Sequence, residues 1–116
     1  MYSGEEKRKH KRVALHVPVE CRSGQATCTC QIENISISGL LIRTETAFAQ
    51  FEEIVVRFRM PDAGPVIEAS ARVAHTVPGS FMGIEFISLP LGPAAAIETY
   101  VADAPALQAK AVNRGH

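Results

Sequence analysis

Two arginines four residues apart, Arg8 and Arg12, stand in the run Lys7-Arg8-Lys9-His10-Lys11-Arg12, five Lys or Arg side chains and one His. A guanidinium is planar and always charged. Its fork of N–H donors fits a phosphate or the O6/N7 edge of guanine in pairs, and its flat face stacks on a base. Two such groups at this spacing can reach one small anionic ligand from a short arm, and Lys7, Lys9 and Lys11 can screen phosphates without fixing geometry. A basic run alone also reads as a solvated tail.

The second group of chemically useful residues is Asn34-Ile35-Ser36-Ile37-Ser38-Gly39. Asn and Gly supply the positive φ angles of tight turns, and Ser can bond its own backbone. A glycine at position 39 would also let a ligand approach the main chain closely. An ordinary turn between strands has the same composition, so this segment gains meaning only beside the arginines.

The remaining reactive side chains suggest less. His75 shares the parity of Val73, which places it inward or at an edge, in a structural role, unless a bulge intervenes. Cys28 and Cys30 lie two strand rises apart on one face, a poor spacing for a disulfide, and with Cys21 they total three. They read as small buried hydrophobes. His10, His16, His75 and His116 are scattered without zinc-site spacing. The chain lacks a Gly-rich phosphate loop opening a helix, a His-Glu-x-x-His pair and a Ser/His/Asp grouping. Neither catalysis nor a bound metal or cofactor is expected.

These residues need elements to position them. The 116 residues suffice for one domain, and 47% are hydrophobic, a globular composition. Residues 1–12 hold five basic and two acidic side chains, whereas the rest holds 7 basic and 10 acidic, so a basic arm precedes a mildly acidic body. That asymmetry suits a local anionic ligand better than a nucleic-acid track. Rows of exposed aromatics, which single-strand binders use, are not evident. No apolar run approaches the ~20 residues of a membrane helix, and no secretory leader is evident. Three cysteines without a paired framework point to a reducing cytoplasm.

Two-residue alternation dominates: Val13 to Cys21, Ala26 to Ile32, Leu40 to Ile42, Ile54 to Met60, Ile67 to Val73 and Met82 to Phe86 predict six strands. Pro18 lacks an amide donor and calls for an edge or a bulge. Thr44 to Glu53 reads as a loop. From Pro93 onward, Ala94, Ile97, Tyr100 and Val101 follow helical spacing. The expected architecture is all-β with a C-terminal helix, a small antiparallel barrel or sandwich.

Arg-x-x-x-Arg ahead of the first strand, followed by Asn-x-Ser-x-x-Gly, resembles the PilZ family. Arg8 and Arg12 match the first motif, and Asn34, Ser36 and Gly39 match the second. Ala71-Arg72-Val73 with Gly83-Ile84-Glu85-Phe86 looks like that family's last strand pair. The resemblance implies a six-stranded antiparallel β-barrel that binds cyclic di-GMP. Arg8 and Arg12 would read guanine and phosphate, Asn34 and Ser36 would anchor the ligand beside Gly39, and Lys7 and His75 would be secondary contacts. Asn34 stands where the family also uses Asp, and offers a neutral amide without a carboxylate's charge. The implied organisation is a flexible arm over residues 1–12, a barrel and helix over 13–103, and a frayed tail over 104–116. The implied role is a non-enzymatic cytoplasmic receptor that orders its arm on binding and signals to a protein partner, with no DNA, RNA or membrane insertion. The alternative is a PilZ-like interaction module that binds no nucleotide.

Overall fold

Period-two alternation carries through to seven strands and one helix in the computed structural model, which describes residues 10–45 and 48–107. They are β1 (Val13–Ala14), β2 (Pro18–Ser23), β3 (Ala26–Ser36), β4 (Gly39–Arg43), β5 (Glu53–Arg59), β6 (Val66–Val77), β7 (Phe81–Ser88) and α1 (Leu91–Asp103). All pairings are antiparallel. They run β3-β2-β5-β6-β7-β4, and β4 returns to β3. The ring is a closed six-stranded barrel in which every stave has a neighbour on both sides along part of its length. β1 is a seventh, short strand outside the ring, beside the C-terminal half of β3.

The first strand expected from sequence is therefore split. Val13 pairs with Ile35, and Pro18 pairs with Gln31, so the register slips by one residue across Leu15–Val17. The slip is bridged by bonds from Leu15 N to Glu33 O and from Ile32 N to Val17 O. Pro18 opens β2, a position where a missing amide is tolerated.

Alternation fills the barrel. Val19, Cys21, Ile32, Ile35, Leu40, Ile42, Val56, Ile67, Val73 and Met82 are all buried in one cluster. Each aliphatic among them contributes about 1.5–3 kcal/mol through burial, before entropy is counted. Helix α1 begins two residues before Pro93, which sits in its first turn. Ile97 and Val101, one turn apart, are its buried residues. The helix touches β3 and β6, which stand opposite each other in the ring, so it spans one barrel mouth. The Tyr100 hydroxyl donates to Ala14 O at 2.9 Å and ties α1 to β1.

Candidate ligand-binding site

Arg12 immediately precedes β1, one residue from the Val13–Ile35 pair. Val13 and Ile35 turn inward, so Arg12 and its neighbours on β3 turn outward. The Arg12 Nε donates to Asn34 Oδ1 at 2.7 Å, and an Nη donates to Ser36 Oγ at 3.3 Å. Burial lowers the pKa of this guanidinium, which nonetheless stays charged in proteins. A charged donor held against two neutral oxygens retains its net positive charge for an anionic ligand. Two of its five N–H groups are committed to Asn34 and Ser36.

A bulge between Ile32 and Asn34 sets the outward aim of Asn34, since the β3–β4 register shifts there. The hairpin then closes on Ser36 opposite Gly39, with Ile37-Ser38 as its two-residue loop. The expected positive φ values are not found: neither Asn34 nor Gly39 is among the left-handed residues. The turn is held by side-chain bonds. Ser36 Oγ accepts from Ser38 N at 3.0 Å and lies 2.8 Å from Ser38 Oγ. Since Ser36 Oγ already accepts from Arg12 and Ser38 N, its own proton goes to Ser38 Oγ. The Ser38 hydroxyl is thereby left to donate outward from a half-buried position. Sequence reading passed over Ser38, although Ser two residues after Ser is a recognised turn-forming signal.

Gly39 serves a different need from the one expected. A Cβ at this position would collide with the backbone carbonyl of Ile84 on β7. Gly39 pairs with Glu85, and Phe86 N donates to Ser38 O at 2.9 Å, so the hairpin tip is pressed against β7. The glycine is required by close strand packing.

His75 is also placed differently. The β6–β7 register shifts between Val73 and His75, so a bulge at Ala74 reverses the parity. Val73 points inward and His75 is exposed, so the bulge named as the exception to an inward or edge position is present. Its imidazole lies over Gly83, where a Cβ would strike the ring. Following the registers outward from Asn34 gives Leu41, Gly83 and His75, and from Ser36 gives Gly39, Glu85 and Arg72. Gly39 and Gly83 add no side chains to this strip, which also carries the half-buried Leu41 and the exposed Glu85. Arg12, Asn34 and Ser36 border it on one side, and His75 and Arg72 on the other. At about 4.8 Å per strand, the strip is roughly 14 Å wide from β3 to β6. Gly83 was legible as an isolated glycine within a strand, a sign of close approach.

The arm is pinned from its other side by the C-terminal segment. Leu107 N donates to Arg12 O at 2.9 Å, and Ala106 bridges to Val13. Ala106 and Leu107 fall in the stretch expected to fray, yet they hold the main chain beside Arg12. Arg8 and Lys7, like residues 108–116, lie outside the described residues.

Among the described residues, no group of three or more His, Cys, Asp or Glu side chains is placed to hold a metal ion. No described helix is long and apolar enough to cross a membrane. Cys21 is buried as expected, but Cys28 and Cys30 are only half-buried. An open cavity of about 640 Å³ lies beside them, lined also by Arg43 and Phe81, and no candidate ligand residue borders it.

The described residues thus form a closed barrel with an arginine seated on a strand hairpin at its outer face. The PilZ domain family model matches residues 6–103, and the chain belongs to that family. No sequence among the curated proteins matches it. The fold is similar to that of the Bacillus subtilis inhibitor of motility MotI/DgrA, with TM-score 0.74 and 19% identity over 82% of this chain and 49% of that one. It is similar to the PilZ domain of Escherichia coli YcgR, solved with c-di-GMP, with TM-score 0.70 and 12% identity over 84% and 91% of the two chains. Borreliella burgdorferi PlzA, solved in complex with c-di-GMP, gives TM-score 0.67 and 17% identity over 84% of this chain and 42% of that one. The chain thus spans less than half the length of MotI/DgrA and PlzA.

Proposed function

We propose that this chain is a cyclic di-GMP receptor that binds its ligand on the outer strip between Arg12 and His75. The observation that carries the reading is the joint seating of Arg12 on Asn34 and Ser36. It holds a charged fork at the edge of the strip, with three of its five N–H groups not committed to Asn34 or Ser36. A cyclic dinucleotide presents phosphates and guanine edges, the groups that an arginine fork, an amide and a hydroxyl recognise. Arg12 takes a phosphate or a guanine edge, with Arg8 as its partner on the arm. Asn34 and the Ser36–Ser38 hydroxyl pair hold the polar side of the ligand. His75, whose imidazole covers Gly83, offers an exposed ring at the far side of the strip. Lys7 adds charge.

Binding orders the arm, at about 1–2 kcal/mol for each residue fixed, so affinity depends on several charge-assisted bonds acting together. The pinning of Arg12 by Leu107 supplies a route from ligand to C-terminal segment, and from there to a protein partner. The role is that of a receptor without catalysis, acting in the cytoplasm. Calorimetric titration with cyclic di-GMP tests the reading. Saturable binding that is lost in Arg12→Ala is expected; no binding by the wild-type chain would favour an interaction module that uses the barrel alone.

A further inference from the structure

Three thiols gather where the barrel wall is incomplete. β3 outruns β4: their pairing ends at Gln31–Arg43, and Ala26 to Cys30 continue beside β2 alone. Cys28 and Cys30 lie on this overhang, on the face that Ile32 turns inward further along the strand, and both border the open cavity of about 640 Å³. Their Sγ atoms are 3.5 Å apart. Cys21 is the strand partner of Cys28 and is fully buried.

A direct disulfide between Cys28 and Cys30 is disfavoured by the strand. Residues two apart in extended chain have Cα atoms about 6.8 Å apart, at the upper limit for a disulfide. Pairing of both residues with β2 holds that separation. One bridging atom removes the difficulty. With bonds to sulfur of about 2.3 Å, two sulfurs 3.5 Å apart subtend roughly 100° at the bridge. That is the pyramidal angle of a trivalent, thiophilic centre, narrower than a tetrahedral ion takes and far from linear.

We infer that Cys28 and Cys30 form a dithiol site for a trivalent thiophilic metalloid, of which arsenic(III) is the type, entered from the open cavity at the β3 overhang. With an organoarsenic(III) oxide the step is a condensation. Two S–As bonds form, the As=O bond breaks, and the oxygen leaves as water with both thiol protons. Arsenic remains trivalent and no electron is transferred. The site is separate from the Arg12 strip and does not depend on the nucleotide.

Phenylarsine oxide is the probe, read by intact-mass spectrometry of the full chain. One adduct per chain is expected, surviving a wash with the monothiol glutathione and removed by 2,3-dimercaptopropanol. Cys28→Ser and Cys30→Ser should each lose the retained adduct, and Cys21→Val should keep it, with thermal melting confirming that each variant folds. An adduct retained without Cys28 or Cys30, or dependent on Cys21, overturns the assignment. So does a wild-type chain that holds no adduct after the glutathione wash, a result independent of any variant's folding.

Discussion

Arg12 and Asn34, 22 residues apart in sequence, meet at 2.7 Å on the outer face of the barrel. The contact joins the residue before β1 to the β3–β4 hairpin. It places a charged donor against an amide oxygen and leaves the amide nitrogen of Asn34 turned elsewhere.

Arg12→Ala should weaken cyclic di-GMP binding by on the order of 1–3 kcal/mol at the least, the worth of one bidentate contact. Arg12→Lys should fail to restore it, because an ammonium is a point charge without a planar fork. Calorimetry on both variants decides this; wild-type affinity in either would remove Arg12 from the site.

Ser38→Ala should lower affinity by about 0.5–1.5 kcal/mol while leaving the melting temperature nearly unchanged. The side chain is the outward end of the Ser36–Ser38 pair, and the Ser38 N–H that closes the turn remains. A large loss of stability would instead make the hydroxyl part of the hairpin's own support.

Gly39→Ala is expected to destabilise the fold by about 1–3 kcal/mol or more, because the obstructing atom is a backbone carbonyl that cannot rotate away. Chemical denaturation measures it. His75→Ala, at an exposed position, should stay within about 0.5 kcal/mol of wild type in stability.

Thr76→Val should stabilise the protein by about 1 kcal/mol. The Thr76 Oγ1 is buried without a partner among the described residues, and valine keeps the shape while removing the stranded hydroxyl. Equilibrium unfolding in urea would detect the shift, and a destabilised variant would mean that the hydroxyl is satisfied in solution.

The Cys28 thiol, with its pKa pushed up to about 11, should alkylate slowly with iodoacetamide at pH 8 and faster as pH rises towards that value. The sign for stability follows. The folded state keeps this proton to higher pH than the unfolded state does, so the contribution is present below about pH 9 and is lost as pH climbs through 11. Its half-buried position keeps the effect small.

Alternation made most of the barrel legible, because inward residues two apart recur along every stave. What alternation cannot show is a one-residue slip. Leu15–Val17 divides one expected strand in two, and the bulge at Ala74 sends His75 outward while Val73 stays in the core. Arg12, Asn34 and Ser36 were legible from residue type and spacing, and the structure brings these three together. The support they receive from Ser38, Gly83 and Leu107 depends on strand register and on a segment 95 residues from Arg12. Ser38 and Gly83 carry local signals of a turn and of a close approach, whereas no local pattern encodes the approach of Leu107.

The collision that forbids a side chain at Gly39 has a consequence for how this motif can drift over generations. Ile84 enforces the glycine whether or not a ligand is ever bound. A descendant that lost its arginines and its Asn34 would keep the glycine, since discarding it would break the barrel. Retained glycine therefore marks ancestry of the hairpin, whereas retained pairing between positions 12 and 34 would mark the receptor role proposed above.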